Sequence, residues 1–295
     1  MSIVYCNFTP DQLQAQYSAR AAVPEHPAIF KRWQERSEIY RSQAKQLLDI
    51  PYGESAREKL DLFLPDREKP PVLFFIHGGY WQAMDKSFFS FLARELVAEG
   101  IAVAIINYDL CPDVTLDTIA EQARRATAWL WSHADDYGLD RGRLHLCGHS
   151  AGGQLTAMLM TARWQEIAGG LPDNLVKSGL SISGLFDLEP LVHTAINNAL
   201  GLDLESARRN SPIYLAPVTS APLVLAVGGE ESSEFQRQSR EFAKCWSIKG
   251  VETSVLELPG LNHFTMVEQL ATPGSAILDQ ALKLVSGQDG DSTPA

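Results

Sequence analysis

Ser150 sits in the run GHSAG, Gly148 to Gly152, with a glycine two positions away on either side. A serine hydroxyl is a weak nucleophile at neutral pH and needs a neighbouring base to activate it. The residues before the motif, RLHLC, read as a short strand, and those after it, AGGQLTAMLMTARW, read as a helix rich in small residues. A G-x-S-x-G serine in a strand–turn–helix setting is lifted clear of its sheet, with Oγ exposed at the helix N-terminus. The flanking glycines allow the strained turn and close strand–helix packing that this needs. The other reading of the same five residues is a glycine-rich turn capped by a serine.

The chain offers seven histidines as the base. In sheets built around such an elbow the chain order is serine, acid, histidine. His263 alone lies beyond His193, directly after VLELPGLN, and is the predicted base. His149 is expected to line the pocket in a structural role. His145 and His149 are four apart, but on strand and elbow rather than one helix face, so no metal pair is predicted. The acid must hold the imidazole in one tautomer and stabilise the imidazolium. It is expected after PLVLAVGG, where Glu230 and Glu231 both stand. Asp187, in SGLFDLEP, is a third candidate whose other reading is a helix cap ahead of LEPLV.

Acyl transfer also needs donors for the developing oxyanion. One is the N–H of the residue after the nucleophile, here Ala151. The other comes from a loop that carries an HGGG-type motif in esterases. HGGYW, His77 to Trp81, follows the apolar run PPVLFFI and takes that place. Gly79 and Tyr80 are the predicted donors, His77 fixes the loop, and Tyr80 and Trp81 are expected to wall the pocket. Core packing is the other reading of those two aromatics.

These residues need a frame. From KLDLFLP onward the chain alternates short apolar strands with helices: PVLFFIH, DKSFFSFLARELVAEG, IAVAIINY, TLDTIAEQARRATAWLWSHADDYG, the elbow, VKSGLSISG, PLVLAVGG, VETSVLELPG and a last helix interrupted near Pro273. That pattern predicts an α/β fold, a mostly parallel central sheet with helices on both faces. Residues from about Pro10 to Leu48 read as helical, with Ile29, Trp33, Arg36 and Tyr40 on one stripe. The connection from about 185 to 220 is too long for a plain loop and is expected to form a small helical cap over the strand ends. The division is then 1–50 as a helical arm and cap element, expected to cover the site beside the insertion, 51–285 as the catalytic domain with its insertion, and 286–295 as a disordered tail.

Composition narrows the field. The chain has 295 residues, 45% of them hydrophobic and 21% charged, as in an ordinary globular protein. A net charge of −11 argues against a nucleic-acid or anionic-membrane surface. The N-terminus shows no signal-peptide pattern, and no apolar run is long enough to span a bilayer. Cys6, Cys111, Cys147 and Cys245 are scattered, as expected of free thiols in a reducing cytoplasm. A small-molecule substrate and no cofactor are expected, and the oligomeric state is open between monomer and homodimer.

At HGGYW, GHSAGG, SGLFDLEPL, ARRNSP, EFQRQSREF and NHF the chain resembles the α/β-hydrolase fold and, within it, the kynurenine formamidase (arylformamidase) family. The resemblance implies Ser150 as nucleophile, His263 as base and Glu231 as acid, where the family usually carries Asp. A substrate pocket formed with Trp81, His149, Phe186 and Phe264 is expected around these groups. The expected activity is hydrolysis of a small aryl formamide, N-formylkynurenine or a relative. A carboxylesterase for small acyl or aryl esters is the second reading, and a hydrolase-fold binding protein without catalysis is the third.

Overall fold

A computed structural model describes residues 3–287. Its strands are β1 (Gln46–Pro51), β2 (Lys59–Phe63), β3 (Val72–Ile76), β4 (Ala102–Ile106), β5 (Leu144–His149), β6 (Val176–Ile182), β7 (Leu223–Gly228) and β8 (Thr253–Leu258). They form one sheet in the order β1-β2-β4-β3-β5-β6-β7-β8. β2 pairs antiparallel with both β1 and β4, and every later pairing is parallel.

The helices are α1 (Pro10–Tyr17), α2 (Ala19–Ala22) and α3 (His26–Arg41) in the arm; α4 (Ala93–Ala98), α5 (Leu116–His133), α6 (Ala151–Leu159) and α7 (Trp164–Ile167) between β3 and β6; α8 (Asn197–Leu200) and α9 (Leu204–Arg209) in the insertion; then α10 (Ser233–Ile248), α11 (His263–Glu268) and α12 (Ala276–Ser286). The central strands are buried on both faces, which is why VLFFI and AVAII are continuously apolar rather than alternating. The period of two still sorts their side chains. Val72, Phe74 and Ile76 join the core under α5, α6 and α10, whereas Leu73 and Phe75 join the core under α3, α4, α11 and α12.

The chain leaves β3 toward β4 on one side and returns to β5 on the other. The carboxyl ends of β3 and β5 therefore flank a topological switch point, where open α/β sheets bind ligands. HGGYW leaves β3 there and GHSAG leaves β5.

Three expectations about elements need correction. The helical reading to Leu48 is too long, because α3 ends at Arg41 and Gln46–Pro51 is strand β1. Leu47 and Leu48, predicted to be helical, are half exposed on this edge strand. A boundary at residue 50 would cut through it. DKSFFSFLARELVAEG is not one helix but two 3₁₀ turns, Lys86–Phe88 and Ser90–Leu92, followed by α4. Packing Phe89 and Phe91 against Trp33, at ring-centroid distances of 5.4 and 6.3 Å, overrides helix propensity there. The C-terminal stretch begins in order, since Ser286 closes α12 and Gly287 caps it in the left-handed region. Residues 288–295 of the expected tail lie outside the described residues. Among the described residues no helix is long and apolar enough to cross a membrane.

Candidate active site

Ser150 has φ 58° and ψ −118°, a positive-φ conformation outside the allowed regions that a non-glycine residue adopts only under strain. Its N–H donates to the Ile182 carbonyl at 2.8 Å, which fixes the turn against β6. The glycines of the motif are sterically required. A Cβ on Gly152 would lie 1.9 Å from the Ile76 carbonyl oxygen, and one on Gly148 would lie 2.1 Å from that of Gly152. Only glycine lets α6 start so close to the end of β3.

Ser150 Oγ is 2.9 Å from His263 Nε2, and His263 Nδ1 is 2.7 Å from Glu231 Oε2. The carboxylate requires N–H at Nδ1, which leaves the Nε2 lone pair facing the serine hydroxyl. Glu231 is held at its other oxygen, where Oε1 accepts from Ser183 Oγ at 2.6 Å and from the Gly228 N–H at 2.8 Å. Glu230 next to it is exposed. Asp187 accepts from Tyr5 Oη at 2.8 Å and from the Glu189 N–H at 3.0 Å, so its carboxylate caps the start of the insertion. Burial raises the Asp187 pKa, partly offset by the bond from Tyr5.

His149 Nε2 is 2.8 Å from the His263 carbonyl oxygen and donates to it. Burial pushes the His149 pKa well below the ordinary histidine value, and neighbouring His263 lowers it further. A neutral ring thus braces the backbone that carries the base, edge-on to Trp33 at 6.4 Å.

The loop after β3 lies against the serine. A Cβ on Gly78 would come 2.9 Å from Ser150 Cβ. Gly79, Tyr80 and Trp81 all have positive φ, at 116°, 50° and 57°. The N–H groups of Gly79, Tyr80 and Ala151 meet no acceptor among the described residues. His77 anchors the loop from below, stacked on Tyr108 at 4.4 Å, with Nε2 3.1 Å from Asn107 Oδ1. Burial lowers the His77 pKa to about 4.

A cavity of about 450 Å³ opens above Ser150 and His263. The arm supplies one wall, through Tyr17 to Ala21 together with Phe30 and Trp33, and Tyr80, Met84, Phe89 and Phe264 line other parts of it. From the insertion only Ile196 is among the lining residues. Of the expected pocket residues, Tyr80, His149 and Phe264 line this cavity. Trp81 and Phe186 do not: both are fully buried in the core. Trp81 Nε1 donates to Gln154 Oε1 at 3.2 Å, and Phe186 stacks on Phe242 at 4.3 Å.

The BD-FAE family model matches residues 60–245, more than half of the sequence. The chain belongs to the BD-FAE family. It is 33% identical to a kynurenine formamidase of Salmo salar and 33% identical to one of Danio rerio, in each case over 94% of both chains. Among solved structures, a putative thioesterase from Silicibacter sp. superposes with a TM-score of 0.79 at 31% identity, covering 91% of this chain and 98% of the other. Esterase B of Lactobacillus rhamnosis superposes at 0.70 with 20% identity over 92% and 97% of the two chains, a likeness in fold. This BD-FAE protein is a hydrolase with the α/β-hydrolase fold.

Two groups in this hydrolase escaped the sequence reading. Ser183, with φ 53°, supports the Glu231 carboxylate. Its signal is only a serine at the end of a strand, in SISG. Gln238 is a buried hub: its Oε1 accepts from the N–H groups of Phe186 and Asp187, and its Nε2 donates to Tyr17 Oη and the Asp187 carbonyl. It joins arm, insertion and α10, and nothing local in EFQRQSREF marks it. His145 stands apart from the site, bonded through Nδ1 to Ser178 Oγ at 2.8 Å. Among the described residues no group of three His, Cys, Asp or Glu side chains comes together to hold a metal.

Proposed function

We propose that this chain is a serine hydrolase that cleaves small aryl formamides through Ser150, His263 and Glu231. The observation that carries the reading is the unbroken relay of hydrogen bonds from Ser150 Oγ through the imidazole to Glu231, at the floor of an aromatic cavity. The kynurenine formamidase relatives favour the formamide. Ser150 Oγ attacks the formyl carbon as His263 Nε2 takes its proton. The carbonyl electron pair moves onto oxygen, where the N–H groups of Gly79, Tyr80 and Ala151 stabilise it. Collapse breaks the C–N bond, and the imidazolium returns its proton to the departing arylamine. Water, deprotonated by His263, then hydrolyses the formyl ester to formate and free enzyme.

The second reading, a carboxylesterase, uses the same groups on an aryl or alkyl ester. Relatives named as isoprenylcysteine methylesterases, 26% and 24% identical, favour it. The test compares N-formylkynurenine with aryl acetates on purified protein. Turnover of the formamide at a kcat/KM matching or exceeding that of the acetates supports the first reading, and turnover of acetates alone supports the second. A fluorophosphonate should label Ser150, and Ser150→Ala should abolish both labelling and turnover. Labelling with no hydrolysis of either class would count against both. The four free cysteines are consistent with a reducing, cytoplasmic setting.

A further inference from the structure

Arg20, on α2, is the one formally charged side chain among the residues that line the cavity, in a chain of net charge −11. No carboxylate lines the same space. Arg20 makes neither a hydrogen bond nor an ion pair with any described residue. Among the described residues it meets only the Phe30 ring, itself a cavity wall, with the guanidinium carbon 5.7 Å from the ring centroid. The arginines of neighbouring α3 are engaged: Arg32 grips Glu268, Arg36 reaches the Ala271 carbonyl, and Arg41 donates to Ser87 and Ser90. Ser150 and Trp33 are buried whereas Arg20 is exposed, so the charge marks the outer part of the cavity.

The backbone beneath Arg20 is fixed. Tyr17 Oη donates to Glu234 at 2.9 Å, the Tyr17 carbonyl accepts from Tyr80 Oη at 2.7 Å, and Ser18 Oγ donates to the Gln14 carbonyl at 2.7 Å. A guanidinium fork on a fixed backbone, resting on an aromatic face and free of protein acceptors, suits a bidentate carboxylate from outside the chain.

We infer that Arg20 is a specificity residue that binds a carboxylate carried by the substrate. The aryl group then lies among Phe30, Trp33 and Phe264, with the scissile carbonyl at Ser150 and the anion toward Arg20. The placement of the anion rests on the formamide reading: a formyl group bears no substituent, so the carboxylate must belong to the leaving group.

The test uses two substrate pairs, formanilide and phenyl acetate, each with and without a carboxylate on a short ortho chain. Wild type should prefer the carboxylated member of each pair about tenfold or more in kcat/KM. Arg20→Gln should remove most of that preference, chiefly through KM, and Arg20→Lys should restore part of it. Raising the salt should shrink the wild-type preference and leave that of Arg20→Gln little changed. An equal preference in wild type and Arg20→Gln overturns the inference. Calorimetry with a carboxylated arylamine, the product form, reads the same contrast without turnover, and equal affinity of the two proteins would also overturn it. If only the acetates are cleaved but their charge preference depends on Arg20, the formamide reading falls and the arginine site stands. If formanilides are cleaved with no such dependence, the reverse holds.

Discussion

Glu231, not Glu230, meets the imidazole because of how one turn closes. The Glu231 N–H donates to the Gly228 carbonyl at 3.1 Å, while the Gly228 N–H donates back to the Glu231 carboxylate at 2.8 Å. The turn folds the longer glutamate side chain onto its own strand end, and Ser183 then aims the second oxygen at His263. The sequence placed both glutamates at this turn. It could not choose by composition, because adjacent side chains in a turn point to different sides and only the three-dimensional closure decides which points inward. Replacing the triad Asp by Asn in a serine protease costs about 10⁴ in kcat by favouring the wrong tautomer. Glu231→Gln is expected to lower kcat on an aryl acetate by at least about 10². Glu230→Gln should stay within a few-fold of wild type. Equal losses in the two variants would mean that the imidazole is oriented by something other than this carboxylate.

The arm reaches the chemistry from two sides. Tyr80 Oη, on the loop proposed to hold the oxyanion, donates to the Tyr17 carbonyl at the end of α1. On α3, Trp33 Nε1 donates to Glu268 at 2.9 Å and Arg32 pairs with the same carboxylate, on the helix that His263 opens. The Trp33 stripe was legible as a buried helix face. The arm was expected to cover the site together with the insertion, but its partners Glu268 and Phe264 were not legible, because periodicity reports that a face is covered without naming the cover. The insertion shows another limit: its length announced extra structure, yet it gives the cavity over Ser150 only Ile196, where the arm gives Tyr17 to Ala21, Phe30 and Trp33. Tyr80→Phe removes one neutral hydrogen bond, worth about 1 kcal/mol, or roughly fivefold in rate if it is expressed in the transition state. The expected outcome is a several-fold loss of kcat with KM little changed. A rise in KM at constant kcat would make Tyr80 a wall of the pocket and nothing more.

At the scale of the whole molecule the sheet was the most legible feature, since short, fully apolar strands alternating with helices leave few folds other than a parallel sheet covered on both faces. The same double burial encloses polar groups that the pattern hides, and these shape stability against pH. His145 lies within β5 opposite Ser178 of β6, and burial, reinforced by Arg143 and Lys177, lowers its pKa to about 4. His77 is lowered to a similar value by burial, and His149 is lowered as well. In the unfolded chain a histidine titrates near 6.5. Between the two values the unfolded state binds the proton and the folded state does not, so stability must fall as pH drops below about 6.5 and stay level above it. At pH 5, where most carboxylates remain ionised, a histidine with a folded pKa near 4 costs about 2 kcal/mol relative to high pH. Urea denaturation across that window should show the decline in wild type. His145→Gln, distant from Ser150, should lose about one proton's share of the slope, roughly 1.4 kcal/mol per pH unit at its steepest. An unchanged slope would mean that His145 takes up its proton in the folded protein, and that burial within β5 does not keep the ring neutral.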